Sequence, residues 1–155
     1  LHTKIFEEIM RVYRVSIVAL CTFLFTVNGL SANYAFKKKV KSVCKTYRIT
    51  VDSEQFELGE DTFFMTLESG RNDFEMFMVV GFAAAGQAVV HQKQMGLSNA
   101  YMPANVQVSV RVPTAKDSFN TFVASCSSKM ANELAEGRMD SAEFMQKITK
   151  NLKIM

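Results

Sequence analysis

The chain has 155 residues, 48% of them hydrophobic, and a formal net charge of +3. That is enough for one domain with a real core plus a short extra segment, and the charge is too mild to argue for nucleic acid as a partner. Three cysteines (Cys21, Cys44 and Cys126), no CxxC pair and two histidines leave a classical zinc site without ligands.

The opening third of the chain decides the compartment. Val15 to Phe36 runs 22 residues without a charge, behind Arg11 and Arg14. Its most apolar part, Val15 to Val27, has the length of about 13 residues typical of a signal-peptide core and is short for a bilayer span. Asn28, Gly29, Ser31 and Asn33 break the hydrophobicity, and Ser31 and Ala32 offer a cleavage position. Residues 1–32 therefore read as an export signal or, uncleaved, as a membrane anchor. Codons for Glu7 and Glu8 can form a ribosome-binding sequence just ahead of Met10, which makes Met10 a candidate start in place of Leu1. Against export stand Lys37, Lys38, Lys39 and Lys41, since positive charge beyond an apolar run favours the cytoplasmic side. They read as a solvated helix face or linker, or as a contact for anionic headgroups. Cleavage would remove Cys21 and leave Cys44 and Cys126. In an oxidising compartment that pair reads as a disulfide closing a loop of about 80 residues, worth roughly 4 kcal/mol; two separate buried thiols are the alternative.

Residues 33–155 read as one domain, with no internal repeat and no low-complexity linker. Tyr47, Ile49 and Val51 alternate with polar neighbours, the period of a half-buried strand, and "TFFMTLES" follows a turn at Gly59 to Asp61 as the second arm of a hairpin. Asn72 or Asp73 then caps a helix that is apolar nearly all round and closes with His91, Lys93 and Gly96. Gly81, Ala84, Ala85 and Ala88 give it a small-residue face suited to close packing. A competing reading makes "FEMFMVVGF" a strand. "NVQVSVRVP" alternates Val106, Val108, Val110 and Val112 with polar residues, a strand with one wet face suited to an antiparallel or edge position. From Thr114 to Gly137 the apolar spacing of Phe119, Phe122, Val123, Cys126, Met130 and Leu134 predicts an amphipathic helix. A last helix is capped by Asp140 and buries Phe144, Ile148 and Leu152. The predicted order is β-β-α-β-α-α: an α+β fold with a small antiparallel or mixed sheet of about three strands and helices packed on it.

No motif names a reaction. "GFAAAG" lacks the Lys-Ser or Lys-Thr of a phosphate-binding loop, and no GxSxG, HExxH or DxDxDG occurs. Cys126 sits on an apolar stripe, where a thiol packs rather than reacts. His91 and Met95, with Met102, form a weak Cu(I) set, set against methionine's ordinary role as core filler. No cofactor is implied. The sequence favours a noncatalytic periplasmic or secreted binding module for a protein or apolar ligand, with self-association as one form of partnership. Phe77, Phe82, Ala85 and Val89 on the apolar helix, and Tyr101 and Met102 in the loop after it, are the contact candidates. The alternatives are a membrane-anchored subunit of a larger assembly, and a small enzyme or Cu(I)-binding protein.

Overall fold

The computed structural model describes residues 31–70, 73–114 and 117–155. The leader expectation over residues 1–30 and the alternative cap Asn72 lie outside the described residues.

Helix α1 covers residues 31–46. Ala32, Phe36, Val40, Val43 and Cys44 recur at three and four residues and are buried, while Lys37, Lys38, Lys39 and Lys41 occupy the wetter faces. The helix stops in a turn: Ile49 N–H donates to the Cys44 carbonyl (3.0 Å), and Arg48 adopts a left-handed φ of 61°. The strand predicted from Tyr47 is therefore absent there. Ile49 and Val51 still bury alternately, but their backbone pairs with no strand. Strand β1 begins only at Phe56 (Phe56–Leu58), after a single 3-10 turn at Ser53–Gln55. Its hairpin partner β2 spans Thr62–Glu68. Gly59 is required in the connecting turn, where a Cβ would come within 2.7 Å of the Thr62 carbonyl oxygen.

Helix α2 (Phe74–Met95) matches the expectation, including Gly96 as a left-handed cap at φ 63°. By length and composition it could cross a membrane, but half of its most apolar window is buried in the fold. Its two glycines face different neighbours. A Cβ on Gly81 would approach Val108 and Leu67 of the sheet at 2.9 and 3.2 Å, whereas one on Gly86 would strike the backbone of Ala131. The helix is thus pressed on the sheet along one side and crossed by another helix along a second, which explains its nearly uniform apolarity.

Strand β3 (Asn105–Pro113) runs parallel to β2, with Met65 level with Val108. It is an interior strand of the sheet, not an edge. Strand β4 spans Phe119–Ser127 and pairs antiparallel with β3 from Pro113↔Phe119 to Asn105↔Ser127. This corrects the helix predicted over the whole stretch from Thr114. Phe119, Phe122, Val123 and Cys126 happen to fall at helical spacing, yet Phe122, Ala124 and Cys126 also alternate. Four consecutive inward valines on β3 need a paired neighbour, and the Ser-, Thr- and Asn-rich segment is a poor helix former. Helix α3 is only Ser128–Ala135, capped by the Ser127 hydroxyl, which accepts from Met130 N–H at 3.3 Å. Helix α4 (Ser141–Thr149) is capped as expected by Asp140, which accepts from Glu143 N–H at 2.8 Å. Strand β5 (Lys153–Ile154) completes the sheet beside β4.

The architecture is α+β: a mixed five-stranded sheet in the order β1-β2-β3-β4-β5 with four helices. All four pack on one face of it. Phe36 of α1 meets Phe63 at 4.9 Å, Gly81 of α2 lies on Val108, Phe74 of α2 stacks on Phe122 at 4.1 Å, and Phe144 of α4 meets Phe82 at 5.1 Å. Helix α3 bridges α2 and β4. Among the described residues nothing packs on the opposite sheet face.

Candidate binding surfaces

The helical layer closes over the residues expected to meet a partner. Phe82, Ala85 and Val89 are buried and Phe77 is half-buried, so these four residues of α2 form no open apolar face. Two features that the sequence pattern concealed close it: α1, masked by its continuity with the apolar leader, and the extra strands β4 and β5, which widen the sheet beneath. Tyr101 is also occupied. Its hydroxyl donates to the Gly59 carbonyl (2.9 Å) and its ring stands edge-on to Phe36 (4.9 Å), while burial pushes the phenol up to about 12. Met102 beside it is exposed.

The disulfide expectation is corrected. Cys44 and Cys126 are both free thiols. Cys44 lies in α1, over the half of the sheet formed by β1 and β2. Cys126 lies on β4 opposite Val106, in a different element of the fold. Burial raises Cys44 to about 11. It raises Cys126 to about 12, partly offset by a hydrogen bond with the Ala131 backbone. Neither is a nucleophile at neutral pH.

Three concavities lined by described residues bear on a site. The smallest, about 210 Å³, holds His91 with Lys39, Gln87, Gln94 and Glu136 between α1, α2 and α3. Neither Met95 nor Met102 lines it, so the proposed Cu(I) set is not assembled there. No group of three His, Cys, Asp or Glu side chains converges among the described residues. The second, about 380 Å³, is a shallow notch at one end of the open sheet face, lined by Thr62, Phe64, Asn105, Gln107, Ser125, Cys126 and Ser127. Its polar groups are neutral amides and hydroxyls, and Ser125 donates to Gln107 at 3.2 Å.

The third, the largest of these three, is a cleft of about 420 Å³ where the end of α1 meets the starts of α2 and α4. Tyr47, Met76, Val79, Val80, Ala142 and Met145 form its apolar lining, and Glu75 and Ser141 are its polar members. Tyr47 and Met76 are about half exposed, at 54% and 48%. They belong to turns rather than to a continuous stripe: Tyr47 lies just past α1, and Met76 in the first turn of α2. That placement hid the cleft from sequence reading. Its one visible trace was the surplus of apolar residues around the first turns of α2. The groups available there are one carboxylate, one hydroxyl and a polarizable apolar wall.

No protein-family model, curated protein or solved structure matches the chain.

Proposed function

We propose that the protein is a noncatalytic accessory module that binds a protein partner through the cleft between α1, α2 and α4. The carrying observation is the composition of that cleft. Two flexible methionines and a tyrosine surround an open apolar wall, with Glu75 and Ser141 as its polar members. A cleft open to solvent suits one or two anchor side chains of a partner better than an enclosed small molecule. Methionine-lined surfaces adapt to more than one anchor.

The site of action is proposed from the apolar leader: outside the cytoplasm after export, in the periplasm or medium. A second reading, a membrane-anchored subunit, draws on a specific observation. Helix α1 is already formed at residue 31, and Ala32 is completely buried, with its carbonyl accepting from Gln92 Nε2 at 2.9 Å. Cleavage after Ala32 would sever that residue from the fold. An anchor would keep it and would set the Lys37 to Lys41 cluster near headgroups.

Selection of displayed apolar peptides against the protein tests the binding role. Selected peptides are expected to bind the wild type and to lose binding to Met76→Glu, with the far-UV spectrum unchanged. Peptides indifferent to Met76→Glu and Val79→Asp would defeat the proposal. The mass of the protein recovered with its own leader separates exported from anchored forms.

A further inference from the structure

The open face of the sheet lies on the other side of the domain from the binding cleft and carries a charge pattern of its own. Glu57 on β1 and Lys153 on β5 both point to this face, because their register partners Phe64 and Val123 alternate with the inward Phe63 and Ala124. Both are exposed, and neither has an ion-pair partner among the described residues. They stand at opposite edges, one acidic and one basic. Between them the central charges cancel: Arg111 pairs with Glu68 at 3.2 Å and stacks over Phe119 at 4.4 Å. The same face exposes Phe119 (46%) and Met155 (73%), the latter bonded to Thr121 through both backbone groups.

We propose that this face is the contact of a symmetric dimer, a second copy of the chain being its occupant. Two copies stacked face to face can be related by a two-fold axis lying parallel or perpendicular to the strands. The perpendicular choice sets β1 on β1 and Glu57 on Glu57. The parallel choice sets β1 over the copy's β5, so that Glu57 approaches Lys153 twice, once at each edge. Glu57 and Lys153 sit one side-chain level apart along the strands, since Glu57 is level with Phe64 and Lys153 with Val123, Ser109 and Thr66. A lysine stem spans that offset. The parallel arrangement also sets Thr66 of one copy over Val123 of the other and Phe64 over Ser125, neutral side chains that place no further charge in the contact. Like charges oppose in the competing arrangement, so the pattern selects one geometry.

Strands about 4.8 Å apart and about 3.3 Å per residue give the face a projected area on the order of 500 Å². Stable dimers bury about 800 Å² per partner, so this contact belongs to the weak, reversible class. Area alone does not hold it together, and its dimerisation depends on the two edge pairs.

The test is sedimentation equilibrium of the full chain in a density-matched mild detergent, which also accommodates the apolar leader. The wild type is expected to dimerise reversibly, and raising the salt is expected to weaken the dimer. Glu57→Lys and Lys153→Glu should each weaken it roughly tenfold, since each swap replaces attraction with repulsion at two symmetric places. The double variant, Glu57→Lys with Lys153→Glu, should restore it. Unchanged far-UV spectra guard against misfolding, and both residues are exposed. A monomeric wild type, association insensitive to either swap (as leader-driven clustering would be), or a double variant no better than the singles overturns the proposal.

Discussion

Gly86→Ala probes the point where the helical layer is tightest. A Cβ at this position would lie 2.6 Å from the carbonyl carbon of Ala131, closer still to its oxygen, and 2.9 Å from Ala135 Cβ. The nearest obstacles are backbone, so α3 itself must retreat. Asn132 makes that retreat costly. It is buried, and with its amide nitrogen turned toward the two carbonyls it donates to Ser128 O at 3.0 Å and Gly86 O at 3.1 Å. Alanine gains about 1 kcal/mol of helix propensity over glycine. Overpacking costs about 1–3 kcal/mol, and weakening the Asn132 bonds adds about 1 kcal/mol. The net expectation is a loss of about 2 kcal/mol, a fall in Tm of roughly 5–8 °C for a domain of this size. Gly81→Ala is the internal control. Its Cβ would meet side chains and no backbone, at 2.9 Å from Val108 and 3.2 Å from Leu67, so the offset between helix propensity and overpacking should leave a loss of about 1 kcal/mol or less. Urea and thermal unfolding of the two variants read the difference. A Gly86→Ala protein as stable as the wild type, or a Gly81→Ala protein that is the worse of the two, would refute the crossing of α3 over α2.

Gln92 is fully buried; its Nε2 donates to the Ala32 carbonyl at 2.9 Å, and among the described residues its Oε1 has no hydrogen-bond partner. Gln92→Met removes that stranded acceptor at similar volume but also the bond to Ala32, two opposing effects of about 1 kcal/mol each, and should be near neutral. Gln92→Ala, which leaves a cavity, should destabilise by about 1–3 kcal/mol; denaturant midpoints separate the two. Intact-mass analysis after alkylation in denaturant should find Cys44 and Cys126 both modified without prior reduction, and both slow to react in the native protein. Burial holds Cys44, Cys126 and Tyr101 protonated to about 11, 12 and 12, against ordinary values of 9.0 for the thiols and 10.0 for the phenol. The folded state thus binds more protons than the unfolded one above about pH 9, and stability must fall from there toward pH 12. Replacing both cysteines by alanine should flatten the first part of that decline, and Tyr101→Phe the later part. Phe144→Ala should cost about 3–5 kcal/mol, because the ring is fully buried against Phe82.

Elements whose periodicity was uninterrupted were legible from sequence. The valines of β3 and the Asp140-capped stripe of α4 each carry one period over their whole length, and α2 was legible by its unbroken apolar run ending at Gly96. Helix α1 was not legible, because its first turn is chemically continuous with the apolar leader and its lysines read as a linker. Strand β4 was misread because Phe119, Phe122, Val123 and Cys126 fall at helical spacing while Phe122, Ala124 and Cys126 alternate as in a strand. Only the neighbouring valines of β3 decide between them, and that is a tertiary fact. Strand β5 is too short to carry a pattern. The partner candidates on α2 were chosen on its apolarity, which reflects burial from several sides at once. The cleft that remains draws Tyr47, Met76 and Met145 from three helices distant in sequence, so no local window contains it.

Methionine methyl resonances test the central proposal most directly. Met76 and Met145 line the cleft, Met65 and Met78 are buried away from solvent, and Met102 and Met155 are exposed elsewhere. Titration of methyl-labelled protein with a selected apolar peptide should shift Met76 and Met145 and leave Met102 and Met155 unmoved. Shifts at Met102 or Met155 with Met76 and Met145 silent would contradict the assignment of the cleft as the binding surface.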